Sequence, residues 1–345
     1  MSEAVVTIGI DLAKSVFAIH GIDASGAVVV RKQLRRGQML AFFERLPPCL
    51  VGMEACASAH YWGRQLRALG HDVKLMPAHY VAAYVKRNKN DANDAAGICE
   101  AVTRPSMRFV AVKEEAQQSI LTQHRARQII MRQHTQTSNV IRSLMAEYGL
   151  ISRVGRTGLE ALCEIIRDKR DQRLPPFARE ALLLLVAHLE AIKQQRLMFD
   201  RMVLESVRSS ELGRRLVGVP GVGPVLASAI VACVPDPNQF RSGRDLAAWI
   251  GLVPRQRSSG NVVRVGGISK AGDSYLRLLL IQGALAVMKT LKSKSGAHAW
   301  LRRVAERRPY RVAAVAFANK TARIIWALMK SGEHYRPQPA VLAAG

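Results

Sequence analysis

Apolar positions in the first hundred residues fall into short runs with strand spacing, separated by stretches with helical spacing. Val5 to Ile10 is a run of β-branched and small residues. Val16 to Ile22 and Val28 to Gln33 follow it, with an Asp-Ala-Ser-Gly turn signal between them. Gly37 to Leu46 reads as a helix, Leu50 to Met53 as a short buried strand, and Tyr61 to Leu69 as a helix closed by Gly70. Val73 to Met76 predicts a further strand, and His79 to Lys86 a further helix. Three neighbouring strands joined by tight turns, then crossovers through helices, predict a mixed sheet with helices on its faces.

From about residue 106 the period lengthens. Glu114 to Tyr148 reads as one long polar helix with a thin apolar seam at Ile130, Thr137, Ile141, Leu144 and Tyr148, stopped by Gly149. A basic, loop-like stretch separates it from a second long helix, Phe177 to Val207. There Leu182, Leu185, Leu189, Ile192, Phe199 and Val203 keep heptad spacing, broken once by Arg196. The pair predicts an antiparallel coiled-coil arm; a helical subdomain packed on the sheet is the alternative. The last third, from near residue 211, is a set of glycine-punctuated helices. The expected class is thus α/β plus all-α, in three domains: 1–105, 106–210 and 211–345.

Charge narrows the partners. Lys and Arg number 51 against 26 Asp and Glu, for a net charge of +25. The excess concentrates late: 14 Lys or Arg and 2 Asp or Glu lie between Arg264 and Lys330. Such a chain is expected to bind a polyanion, and nucleic acid is the usual one. No run of 18 or more apolar residues, basic amphipathic anchor or lipidation motif favours a membrane instead. The start, MSEAVVTIGID, enters a strand pattern without a signal peptide, so a cytoplasmic, nucleoid-associated protein is expected. The five cysteines (Cys49, Cys56, Cys99, Cys163, Cys233) are scattered without zinc-knuckle spacing and read as small buried or half-buried hydrophobes.

Carboxylates supply the first candidate chemistry. Asp11 closes the strand of Ile8-Gly9-Ile10-Asp11, and Glu54 closes that of Val51-Gly52-Met53-Glu54. A carboxylate ending an apolar strand is costly unless it serves a site. Asp91 and Asp94, in Lys89-Asn90-Asp91-Ala92-Asn93-Asp94, would share one helix face. Like charges that close repel, and a divalent cation would relieve them. An all-oxygen donor set suits Mg²⁺, or Mn²⁺, rather than zinc. Paired metals of that kind hold the attacking and leaving oxygens in phosphoryl transfer. Taken singly, Asp11 could cap a turn and Asp91 could be a helix N-cap.

Two later segments carry the rest. Val217-Gly218-Val219-Pro220-Gly221-Val222-Gly223-Pro224 opens a small-residue helix and resembles a helix-hairpin-helix element, with Gly221 and Gly223 offering backbone N–H groups to phosphate. Leu252 to Asn261 is then a polar loop, followed by a brief strand from Val262 to Gly267 and a helix from Ser274 to Met288. Ser258 and Ser259 stand beside Gly260, with Arg255, Arg257, Arg264, Lys270 and, further on, Arg277 as candidate nucleic-acid contacts. A serine so flanked is placed as a nucleophile on phosphate would be. By spacing alone, both serines are equally ordinary turn residues.

These motifs together resemble the DEDD-type transposases of bacterial insertion sequences, the one-ten family, and related pilin-gene-inverting recombinases. IGIDLAK, GMEACASAHYW and KNDANDAAG carry the likeness at the acids; GVPGVGP and FRSGRDLAAWIGLVPRQRSSGNVVRVGGISKAGDSYLR carry it later. The likeness covers nearly the whole chain. It implies a ribonuclease-H-like (RuvC-like) first domain and a mostly helical C-terminal domain supplying a catalytic serine, Ser259, with Ser258 as the fallback. It further implies a structured guide RNA, donor and target DNA, and dimers and tetramers in which acids of one subunit meet the serine of another. A phosphoserine bond to DNA would form during strand exchange. Two other readings remain beside it: a junction-cutting, metal-dependent endonuclease acting through water, and a non-catalytic nucleic-acid scaffold.

Overall fold

A computed structural model describes residues 4–85, 90–256, 264–291 and 299–337. The chain forms two compact units, Met1–Ala116 and Gln117–Gly345, and each is described by itself.

The first unit is built on a five-stranded sheet in the order β3-β2-β1-β4-β5. β1 (Thr7–Asp11) and β2 (Val16–Ile22) pair antiparallel, as do β2 and β3 (Val28–Arg35). Asp23 makes the second turn: its Oδ1 accepts from the backbone N–H groups of Ser25 at 2.8 Å and Ala27 at 2.9 Å, and from the Ser25 hydroxyl at 2.7 Å. β3 lies at the edge and exposes Arg31, Lys32 and Gln33, which discourages pairing with another sheet. After α1 (Met39–Phe43), β4 (Leu50–Glu54) returns parallel to β1. α2 (Ala59–Ala68) then leads to β5 (Asp72–Met76), parallel to β4. Side chains alternate across a strand, so Ile8, Ile10, Val51 and Met53 fill one face. They pack with Met39 and Phe43 of α1 and Trp62 and Leu66 of α2. α3 (Ala78–Val81) and a 3₁₀ turn to Tyr84 precede α4 (Asp91–Val102), which contacts β1, β2 and β4.

The second unit starts with α5 (Glu115–Ala146, its first two residues in the first unit), α6 (Arg156–Arg167) and α7 (Pro176–Arg208). The stretch expected to be loop-like thus contains a 12-residue helix. Its Leu159, Leu162, Cys163 and Ile166 bury against Ile141 and Met145 of α5 and Leu182, Val186 and Leu189 of α7. A cluster of Arg and Gly flanking those apolar positions masked the helical period. Leu144 and Tyr148, expected in the seam, are exposed, and Met145 takes the inward place. Buried Arg179 donates to the carbonyls of Ile165 at 2.7 Å and Ile166 at 2.9 Å, satisfying the carboxyl end of α6.

The rest comprises α8 (Glu211–Val217), α9 (Pro224–Cys233), α10 (Gly243–Trp249), the antiparallel strands β6 (Pro254–Gln256) and β7 (Val265–Ile268), α11 (Ser274–Thr290), α12 (Ala299–Arg307) and α13 (Tyr310–Ser331). Leu226 and Ile230 of α9, Leu246 of α10, Leu276 and Leu280 of α11, and Phe317 and Ile325 of α13 share one core. By length and composition α13 could cross a membrane, although Lys320 and Arg323 interrupt it; its Ala313, Ala318 and Ala322 are instead buried in this core.

A chain of polar groups crosses that core. Buried His124 of α5 bonds the Tyr275 hydroxyl of α11 through Nδ1 at 2.9 Å and Ser228 Oγ of α9 through Nε2 at 3.1 Å. Ser228 Oγ in turn meets Ser206 Oγ of α7 at 2.8 Å. Burial, helped by the charge of Arg127, pushes the His124 imidazole down to about 4. The unfolded chain binds that proton near its ordinary value of about 6.5. The stability held by neutral His124 is therefore full above roughly pH 6.5 and lost as pH falls towards 4, by about 3 kcal/mol in all. Urea unfolding measured across that window should lose this part of its pH slope in His124→Gln. An identical slope in the variant would contradict the assignment.

Candidate active site

Two strand ends and one helix direct the four candidate acids of the first unit to the same end of the sheet, without closing three of them into one group. β1 and β4 are in register at Gly9↔Gly52 and Ile10↔Met53, so Asp11 and Glu54 follow on the next rung. Adjacent strands lie about 4.8 Å apart, and residues two apart share a face. Asp11 and Glu54 thus lie on the same face as Gly9 and Gly52. That face carries α4. A Cβ on Gly9 would stand 2.2 Å from the Ala95 carbonyl oxygen and 2.4 Å from the Cys99 nitrogen. One on Gly52 would stand 2.8 Å from Val102 Cβ. The two glycines let α4 rest directly on the sheet.

The direction of α4 follows from its contacts. Cys99 Sγ reaches the Thr7 carbonyl at 3.7 Å, near the start of β1, while Ala95 lies over Gly9. Asp94, the residue before Ala95, and Asp91, one turn back from it, therefore lie towards the end of β1 that Asp11 closes. Both belong to the helix face that continues through buried Ala95, Ile98 and Cys99. The N-cap is Asn90, whose side chain accepts from the Asn93 N–H at 2.9 Å; Asp91 is the first helical residue and not the cap. Asp94 and Glu54 are half-buried, as is Asp11, and Asp91 is exposed.

Cys56 reports the shared field at the strand ends. It is exposed, unlike the other four cysteines, which corrects the expectation that all five are buried or half-buried. Partial desolvation of the thiol raises its pKa; the Glu54 and, less strongly, the Asp11 carboxylate raise it further. Two acids acting on one thiol fits neighbouring carboxylates at adjoining strand ends. Among the described residues, no three His, Cys, Asp or Glu side chains close into a metal-holding group. All four candidate donors are carboxylate oxygens, a set that fits a hard divalent cation.

Gly9→Ala tests this arrangement. The new methyl would meet helix backbone, which cannot turn aside. Overpacking of this kind typically costs about 1–3 kcal/mol. It should lower the melting temperature and cripple cleavage, because Asp91 and Asp94 ride on the displaced helix. Gly37→Ala, with nothing within 4 Å of the added carbon, should change neither, and equal behaviour of the two variants would contradict the close approach.

The second unit places the remaining candidates around a β-ribbon. Gln256 of β6 pairs with Val265 of β7, so the segment 257–263 joins the ends of two paired strands. Ser259, Ser258 and Arg257 lie in it, outside the described residues. β6 was missed from sequence because three exposed polar and proline positions show no apolar alternation. Arg255 grips the ribbon's far strand, donating through Nε and Nη2 to the Ser269 carbonyl at 3.1 Å each. Arg277 is half-buried and donates to the carbonyls of Ile250 at 2.7 Å and Ala271 at 3.0 Å, tying the ribbon's base. Lys270 is exposed with φ 56°, a left-handed conformation uncommon outside glycine. Arg264 is exposed beside the serine segment. Gly221 is pressed against α11, where a Cβ would stand 3.1 Å from the Gly283 carbonyl, whereas Gly223 is exposed with open space around it.

Comparison with known proteins gives the same picture for the whole chain. A family described as Transposase, of the DEDD IS110 kind, matches residues 8–150, and the Transposase IS116/IS110/IS902 family matches residues 213–300. A probable family 20 transposase of Pseudomonas aeruginosa is 48% identical over 96% of this chain and 98% of its own length. The transposase for insertion sequence element IS1111A of Coxiella burnetii is 38% identical, over 95% and 91%. That for IS1328 of Yersinia enterocolitica is 37% identical, over 95% and 98%. These matches define a transposase, an enzyme that cuts and rejoins DNA. The chain belongs to the IS110/IS116/IS902 family of transposases, and its sheet with many surrounding helices fits the RuvC-like DEDD domain of that family.

Proposed function

We propose that this transposase exchanges the strands of an insertion sequence by pairing a four-carboxylate site with a serine nucleophile, guided by a structured RNA. The observation that carries the reading is the in-register pair of Gly-x-acid strand ends, Gly9-Ile10-Asp11 and Gly52-Met53-Glu54, lying beneath a helix that begins with Asp91 and Asp94. Asp11, Glu54, Asp91 and Asp94 would hold Mg²⁺, with Mn²⁺ as a substitute. Such an ion polarises phosphoryl oxygens and neutralises charge that develops on them.

Ser259 would do the bond-making. Its Oγ loses a proton and attacks the scissile phosphorus; the phosphorus–oxygen bond to the neighbouring sugar breaks, and that sugar oxygen takes a proton. The reverse attack by a hydroxyl of the incoming strand frees the serine. Arg257, Arg264 and Lys270 would offset phosphate charge near it. Arg255 and Arg277, held by carbonyls, would keep the ribbon in place. Gly223 and Gly221 open α9 in the manner of a helix-hairpin-helix phosphate contact. By this reading the second unit comprises a coiled-coil arm up to about residue 210, serving assembly into dimers and tetramers, and a serine-bearing module from residue 211. The acids of one subunit would then serve the serine of another.

RNA recovered from the purified protein and sequenced tests the guidance. One discrete structured species is expected. A heterogeneous pool would count against guidance and favour a junction nuclease that uses water.

A further inference from the structure

α13 is apolar on two sides. Ala313, Phe317, Ala318 and Ala322 face the core, while Val312 and Ala316 on the other side, with Val315 and Ile324 at the flanks still packed against that core, line a groove of about 990 Å³. Its opposite wall is the ribbon, through Pro254 of β6 and Gly266, Gly267 and Ile268 of β7, and Trp300 of α12 also lines it. Among the described residues, every charged side chain lining it is a cation: Arg311, Lys320 and Arg323. Lys320 Nζ stands 4.7 Å from the centroid of the Trp300 ring, which keeps 36% of the residue exposed.

An apolar floor, one exposed indole and a purely cationic rim match the two halves of a nucleotide. Bases stack on aromatic rings whatever their sequence, and phosphates meet the cations. In an intact duplex the bases are already stacked and could not enter. The strands that wall the groove are the two that flank the segment of Ser259. We propose that the groove receives unstacked bases of the DNA strand adjoining the phosphate to be cut, which makes single-stranded DNA its ligand. The choice of DNA rests on the serine reading above, but the test reads binding only.

Full-length protein is titrated into a fluorescent oligodeoxynucleotide of about 12 nucleotides, a length suited to such grooves, and into the matching duplex. Trp300→Ala should weaken single-strand binding about tenfold. The duplex should be unaffected, and so should the salt slope, because no phosphate contact is lost. Trp300→Phe should restore most of the affinity. Ala316→Trp, which fills the groove and removes no polar group, should reproduce the loss in protein shown to be folded by its circular dichroism. With 5-iodouracil in the oligonucleotide, ultraviolet crosslinks should map to Trp300 or to α13. Equal loss for single strand and duplex, no loss in either variant, or crosslinks only elsewhere would overturn the proposal. So would a Trp300-dependent preference for the equivalent RNA. A change of oligomeric state in Ala316→Trp with single-strand binding intact would give the groove to a second copy of the chain instead. Absence of a covalent adduct at Ser259 would sink the serine reading and leave these binding results standing.

Discussion

Asp11→Asn is expected to lower DNA cleavage at least about a thousandfold while leaving DNA binding nearly unchanged. The substitution keeps shape and removes one negative charge from the strand-end pair. A cation held by fewer carboxylates loses occupancy and, with it, several kcal/mol of transition-state stabilisation, where about 1.4 kcal/mol is tenfold in rate. Binding of a polyanion draws on the +25 net charge, which one carboxylate barely alters. Glu54→Gln should behave alike. The double variant should be little worse than either, since groups that act as a unit are not additive. Single-turnover cleavage beside fluorescence anisotropy separates these effects, and retained cleavage would end the metal-site reading.

Ser259→Ala should remove the covalent protein–DNA adduct and strand transfer together. If the proposed nucleophile is right, no other atom replaces the lost Oγ, so the loss should be near complete, as for removal of other catalytic nucleophiles. On a denaturing gel the labelled DNA should no longer shift with the protein. Persistence of the adduct in this variant and its loss in Ser258→Ala would move the chemistry one residue back. Cleavage that continues without any adduct in the native protein would favour attack by water.

The placement of the acids at strand ends and on one helix was legible because both patterns are local. An apolar run closed by Asp11, and another closed by Glu54, stand out in sequence, and the i, i+3 spacing of Asp91 and Asp94 fixes their shared helix face. What sequence left hidden was the register that places Gly9 beside Gly52, since pairing between distant strands has no local signature. The same holds for His124, Ser228 and Tyr275: each is unremarkable in its own helix, and only packing makes them one polar chain. Arg277 illustrates the converse. As a basic residue near the serine segment it reads as a phosphate contact, yet its guanidinium donates to Ile250 and Ala271 carbonyls. The short amphipathic helix Arg156–Arg167 escaped because glycine and arginine flank it, and its order comes from burying Leu162 and Ile166 between two longer helices. The groove along α13 had no sequence signal beyond a helix apolar on too many sides.

The acids lie in the first unit and the serine segment in the second. By the function proposed above, they act in one reaction. The most direct measurement is the yield of DNA-linked Ser259, mapped by mass spectrometry, as Mg²⁺ is titrated against native and Asp11→Asn protein. An adduct at Ser259 should rise with Mg²⁺ in the native protein and be absent from the variant. Full adduct at Ser259 without divalent metal, or in Asp11→Asn, would contradict that shared reaction.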